Sequence, residues 1–299
     1  MEYIYDKAIN LNVTTYDLLA SKGEQLINLF KLILDYIPPL LEGEFIIRTQ
    51  KKSLRYVDYD NNKKSIEKFY ASLIKGENLS IQIVDSDQNK NQSVPKPIIP
   101  LISSGVSCFD AEPIPEEALK RLNLFNVFTL GLSERLFNYQ IPPNVQTVLL
   151  NIFKEAIQLL NGVTGYISYD TTTAGTLTPS QLENYYALDL ITTPRYTERL
   201  RGYFWMTYLT ERHLEQLGGV DYVIKNSPCF HVEPIKTDSH RGLILQLSPD
   251  INDYSDAQLL QLRTFLVPVL NFGKGVKSEG YIGYGDYPGA VNRLVEHLL

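Results

Sequence analysis

The sequence predicts an α+β fold, a mixed or antiparallel sheet with helices packed on one of its faces. Three observations carry that prediction. Segments with apolar residues at spacings of three and four alternate with short apolar or alternating runs, which read as helices and strands respectively. Two pairs of strand-like runs are adjacent in the chain, between Glu44 and Tyr59 and between Phe230 and Leu247, as antiparallel neighbours are. The Gly-rich turn that marks parallel nucleotide-binding sheets is missing.

In chain order, the first twenty residues read as an ordered arm or an edge strand. Ser21 to Ile37 reads as a helix: Leu26, Ile27, Phe30, Ile33, Leu34 and Ile37 share a stripe, Ser21 and Glu24 have capping-box spacing, and Pro38-Pro39 ends it. EFIIRT (44–49) and LRYVDY (54–59) read as a hairpin. Asn62 to Lys75 is a second helix stopped by Gly76, and LSIQIV (79–84) a strand. Residues 85–92 are polar and aperiodic. Residues 93–116 carry five prolines, which marks a crossing loop or an insertion, although Ile98 to Ile102 is apolar enough for a strand. A short helix over Glu116 to Leu122 and a strand over Phe125 to Leu130 follow. Pro142-Pro143 opens a long helix, Val145 to Leu160, stopped at Asn161-Gly162 before the strand VTGYISY (163–169). Thr178-Pro179 starts a helix over Ser180 to Leu190. Further on come a strand entering a helix, a Gly-Gly stop, a second short helix, two strands, a helix over Asp256 to Leu270, a Gly- and Tyr-rich tail and a short terminal helix. This is one domain over residues 1–299. Residues 21–131 and 143–270 share an order of elements without sequence identity, so a duplicated α/β unit within it is one option.

Composition narrows function. With 28 basic against 34 acidic residues and a net charge of −6, there is no basic stripe for phosphates, so nucleic acid is not the expected partner. No apolar run approaches the roughly 20 residues that span a bilayer, and the first residues have no secretory pattern, so the expected place of action is the cytoplasm without membrane attachment. Two cysteines 121 positions apart, Cys108 and Cys229, read as free thiols.

Chemistry-bearing candidates concentrate between Arg201 and Leu247, which holds the only Trp and three of the four His. His213, His231 and His240 lack the spacing of a zinc site, and Cys229 with His231 supplies too few ligands, so no metal and no other cofactor is expected. On a strand those two would share one face, a poor geometry for a nucleophile and its base. The acidic runs Asp58-Tyr-Asp60, Asp85-Ser-Asp87 and Asp250 to Asp256 have the composition of a cation or acid/base site and also of ordinary turns, in which Asp bonds nearby backbone N–H groups. The turn reading is favoured, and no catalytic residue is expected.

The residues Arg201-Gly202-x-x-Trp205-x-Thr207-x-Leu209, then Leu214-x-x-Leu217-Gly218-Gly219, and later the Gly242 to Leu247 strand, resemble the type VI immunity family. Its members are bacterial proteins that neutralise a cognate effector of the type VI secretion system, and the match runs over about residues 196–269. The resemblance implies a scaffold on which Arg201, Gly202, Trp205, Thr207, Leu217, Gly218 and Gly219 are structural, with Tyr203, Trp205 and Thr207 on one strand face and Phe204, Met206 and Tyr208 on the other. It also implies a non-enzymatic role whose partner is a toxin effector. Contact candidates are exposed Tyr and Asp groups in loops: Tyr56, Asp58, Asp60, Tyr185, Tyr186, Asp253 and Tyr254. The competing readings are an enzyme using the acidic turns or the Cys229/His231 pair, and an adaptor with no toxin partner.

Overall fold

The structure is a computed structural model that describes residues 7–36, 45–51, 53, 55–85, 102–107, 126–171, 197–200, 203–253 and 255–270. The helices expected at 116–122, 180–190 and the C-terminus lie outside these residues, as do Cys108, Tyr185, Tyr186, Arg201, Gly202 and Tyr254.

Among the described residues ten strands form one sheet: β1 (Lys7–Thr15), β2 (Phe45–Lys51), β3 (Tyr56–Asp60), β4 (Asn78–Asp85), β5 (Ile102–Ser107), β6 (Asn126–Ser133), β7 (Thr164–Thr171), β8 (Met206–Thr210), β9 (His231–Lys236) and β10 (Arg241–Gln246). Their spatial order is β3-β2-β4-β5-β6-β1-β7-β8-β10-β9. Every ladder is antiparallel. The sheet is narrowest between β7 and β8, where three residue pairs, Gly165 with Tyr208, Tyr166 with Thr207 and Ile167 with Met206, join the two parts.

β1 is an interior strand, flanked by β6 and β7, and not an arm or an edge. Its alternation sets its faces: Ile9, Leu11 and Val13 are fully buried on one while Asn10, Asn12 and Thr14 occupy the other. The Pro-rich 93–116 stretch contributes β5, seated between β4 and β6, so part of it is woven into the sheet.

Helices α1 (Gly23–Tyr36), α2 (Lys63–Ile74) and α3 (Pro143–Leu159) lie on the face carrying Ile9, Leu11, Val13, Ile47 and Phe128. Leu26, Phe30 and Ile33 of α1 and Leu149, Ile152, Phe153, Ala156 and Ile157 of α3 are buried where spacing placed their stripes, while in α1 Leu29 joins the buried face and Ile27 and Leu34 are half-buried. Phe30 and Phe69 meet edge to face at 5.2 Å, locking α1 to α2. Fully burying such a side chain contributes about 1.5–3 kcal/mol.

The expectation of helices on one face only is corrected. Beyond β7 the opposite face is also covered. Tyr166, Leu209, Leu243 and Leu245 pack under α4 (Glu211–Gln216), α5 (Val220–Asn226) and α6 (Asp256–Leu266), through Leu214, Val223, Leu259, Leu262 and Leu266. β8 and β10 are both buried at consecutive positions, β10 through the apolar run Leu243 to Leu245 and β8 along its whole length, where the Thr207 hydroxyl accepts from Phe204 N.

Local signals set most element ends. The Asn62 side chain accepts from Ser65 N at 2.9 Å and starts α2, and Gly76 at φ +60° stops it. The Ser21/Glu24 cap is not formed, because Ser21 sits in a 3-10 turn with its hydroxyl donating to Leu18 O at 2.7 Å. After α3 the left-handed residue is Asn161 (φ 55°), with Gly162 N donating to Ile157 O at 2.8 Å.

Gly242 is the tightest point of the second half. A Cβ there would lie 2.1 Å from Leu209 O and 2.7 Å from Cε2 of Tyr208. Leu209 O is backbone and cannot step aside, so Gly242→Ala is expected to destabilise the protein by about 2–4 kcal/mol in urea titration, whereas Gly219→Ala, strained at φ +98° but unobstructed, should cost about 1 kcal/mol.

Candidate functional site

Of the motif residues within the described part, Trp205, Thr207 and Leu217 are buried, Gly219 is half-buried and Gly218 is exposed. Trp205 is fully buried, its indole N–H donates to Ser248 O at 2.9 Å, and its carbonyl accepts from Leu247 N at 2.8 Å. The face assignment before β8 is corrected. Residues 204–205 form a bend in which Thr207 Oγ1 accepts from Phe204 N at 3.1 Å, and β8 begins at Met206. The bend turns Trp205 toward the α1–α3 side with Met206 and Tyr208, and puts Tyr203 and Phe204 in the second core. Leu217, Gly218 and Gly219 close α4, with Gly219 N donating to Leu214 O at 2.7 Å and both glycines at positive φ.

The histidines and Cys229 are dispersed. His213, fully buried, stands where a capping box usually has Glu: its Nδ1 accepts from Thr210 N at 3.0 Å. His231 is exposed, with Nε2 3.9 Å from Glu233, which pairs with Lys154 at 2.6 Å on the α3 side. Cys229 packs against the second core on the other side, so the two do not share a face as expected from a continuous strand. Burial pushes the Cys229 thiol up to about 12, with Ser227 opposing, so it is protonated at neutral pH, unlike an activated nucleophile. Among the described residues no group of three or more His, Cys, Asp or Glu is placed to hold a metal ion.

Tyr56, Asp58 and Asp60 come together, on a strand and not in a loop. They project from one face of β3, an end strand of the described sheet, while Val57 and Tyr59 face the core. Tyr56 is 60% exposed. Asp58 is engaged in a two-pronged pair with Arg48, its cross-strand partner, from Nε and Nη2 at 2.8 Å each. The hydrogen bond from Arg48, against the cost of burial, holds the Asp58 carboxyl below its ordinary range. An exposed pair of this kind contributes under about 1 kcal/mol.

Asp253 lies at the other end of the molecule's chemistry, in a loop fastened to the start of α3. Gln146 is buried: its Nε2 donates to Asp250 Oδ1 at 2.8 Å and Ile141 O at 3.0 Å, and its Oε1 accepts from Ile251 N at 3.0 Å. The Asn252 side chain closes the arrangement, accepting from Ile141 N and donating to Ile141 O, both at 3.0 Å. Asp253 is exposed beside it. Asp250 thus serves the turn, as the bland reading of the acidic runs required. Sequence reasoning passed over Tyr139, 61% exposed on the loop joined to this one, because nothing local distinguishes it from other tyrosines.

An apolar groove of about 310 Å³ runs between the α4–α5 pair and the β9–β10 hairpin, lined by Leu214, Val220, Pro234, Ile235 and Leu243. Pro234 removes a donor from β9, the other end strand of the described sheet, which blunts it against further strand pairing. No helix among the described residues is long and apolar enough to cross a membrane.

No protein-family model and no curated protein sequence matches the chain. Among solved structures, the fold is similar to the "Pseudomonas aeruginosa T6SS protein PA0821", with a TM-score of 0.57 and 14% identity over 100% of this chain and 83% of that one. At that identity the likeness is one of fold.

The acidic loop gives a pH prediction. Burial raises the Asp250 carboxyl, but the hydrogen bonds from Asn252 and Gln146 outweigh it, so its folded value lies below the usual one. A depressed carboxylate contributes stability above its unfolded value of about 3.9, which is lost as pH falls through the folded value. Asp250→Asn is therefore expected to flatten the loss of melting temperature between about pH 5 and pH 2. At pH 7 Asp250→Ala should cost about 1–3 kcal/mol by stranding the buried Gln146 amide.

Proposed function

We propose that this chain is a non-enzymatic immunity protein that binds and neutralises a cognate toxin effector of the type VI secretion system, one acting in the cytoplasm. The observation that carries the reading is a coincidence of two likenesses. The residues resembling the type VI immunity family occupy the fixed points of the fold, and that fold is similar, along the whole chain, to one carried by a T6SS protein. A motif made of a buried Trp, two left-handed glycines and a clash-limited glycine preserves a shape and leaves the surface free to vary. That division suits a protein whose work is recognition, where pockets and anchors on a rigid frame set affinity. The protonated Cys229 and the separation of its side chain from His231 favour binding over catalysis by that pair.

The test is co-purification with the protein encoded by the adjacent open reading frame, together with survival of bacteria expressing that protein. The expected result is a complex with a dissociation constant on the order of nanomolar or tighter, and full protection that persists in Cys229→Ala and His231→Ala. Absence of both binding and protection would overturn the reading, and loss of protection in either variant would return attention to catalysis.

A further inference from the structure

Two consecutive non-glycine residues, Asn138 (φ 51°) and Tyr139 (φ 66°), adopt left-handed backbone conformations where the 3-10 turn Glu134–Phe137 ends. Asparagine tolerates that region, and tyrosine does so at a cost on the order of 1 kcal/mol or more. The turn is defined by Tyr139 N donating to Glu134 O at 3.0 Å and Gln140 N donating to Phe137 O at 3.1 Å, bonds a glycine would form without strain. Among the described residues the side chain stays 61% exposed.

The frame around it is stiff. Phe137 and Ile141, buried on either side, leave residues 138–140 as the exposed tip. Both backbone polar groups of Ile141 are held by the Asn252 side chain, and Ile141 O also accepts from Gln146. These bonds make two distant loops one platform, presenting Tyr139 from one and exposed Asp253 from the other. A strained residue persists only where its surroundings over-determine it, and such residues cluster at binding and active sites. An aromatic side chain already fixed by its backbone loses little freedom when it is buried by a partner.

We infer that Tyr139, with Asp253 on the loop joined to its own, is an anchor for the partner protein: the ring enters an apolar pocket of that protein, and Asp253 meets a basic group at the pocket's rim. The net charge of −6 steers a basic face in the same sense. This inference rests on the toxin-binding reading and gives it a place on the surface.

The test uses the full-length protein and the purified, catalytically inactivated product of the adjacent open reading frame. Tyr139→Gly is expected to keep or raise the melting temperature, because it removes strain, while weakening the complex by roughly ten- to a hundred-fold. Tyr139→Asn, also tolerated in the left-handed region, should do the same, and Asn138→Gly, which keeps the ring, should bind as the wild type does. Asp253→Asn should slow association and reduce its dependence on salt. Affinity within about two-fold of wild type in both Tyr139 variants overturns the anchor and leaves the proposed function standing. A fall in melting temperature that accompanies lost affinity in both variants also overturns it, since the ring would then be structural. A wild-type protein that does not bind this product overturns the anchor and the function together.

Discussion

The pairing of β1 with β6 on one side and β7 on the other is the constraint on which the rest of the structure depends. Each ladder runs over eight residue pairs, and the partners lie more than a hundred positions away in sequence. Residues 7–15 therefore join the hairpin-built part of the sheet to the part that carries the second core. Both ends of the strand are fastened. Lys7 N donates to Glu134 at 2.7 Å, and Asp17, just past the other end, pairs with Lys22 at 2.7 Å and accepts from Asn126 and Asn161. Asn161 extends this anchorage to the β9–β10 turn through Thr237 and Ser239, so one left-handed asparagine ties α3, β1 and the far hairpin together. Because so distant a pairing must close before the apolar faces are covered, a slow folding step is inherent in the topology.

What was legible in the sequence follows the same division between local and distant. α1, α2 and α3 were readable because their stripes and stops lie within a dozen residues, and the β2–β3 and β9–β10 hairpins because their partners are neighbours. The alternation of Ile9, Leu11 and Val13 with Asn10, Asn12 and Thr14 was there to be read as a strand. Its place in the middle of the sheet was not, since edge and centre differ only in partners that the local sequence does not name. The second covered face was half legible: β10 is apolar at 243–245, but a bend at 204–205 puts Tyr203 and Phe204 in the second core, which a smooth strand period missed.

The candidate site divides in a similar way. Tyr56, Asp58 and Asp60 were read as loop residues, whereas they lie on β3, and the strand assigns Asp58 a cross-strand Arg48 that no local pattern predicts. Asp250 and Asp253 look alike in sequence and differ in fate, because only Asp250 is reached by a buried amide from position 146. Tyr139 carries no signal in composition or spacing. What sets it apart is a dihedral angle, imposed by the burial of Phe137 and Ile141 on either side of a turn too short for an unstrained tyrosine.

The resembling motif and the exposed tyrosine are therefore opposite kinds of evidence. Trp205, Gly218, Gly219 and Gly242 satisfy rules internal to the fold: a buried indole with its one donor bonded, helix ends that need positive φ, a backbone contact that excludes a Cβ. Each is accounted for without a partner, and none needs one. Tyr139 breaks such a rule while its side chain stays mostly exposed. The anchor role inferred above would account for a strained residue that the fold alone does not call for. Phe137 and Ile141 root the tip in the same core that holds Trp205, while residues 138–140 stay outside it, so a side chain exchanged at 139 leaves the packing that positions it in place.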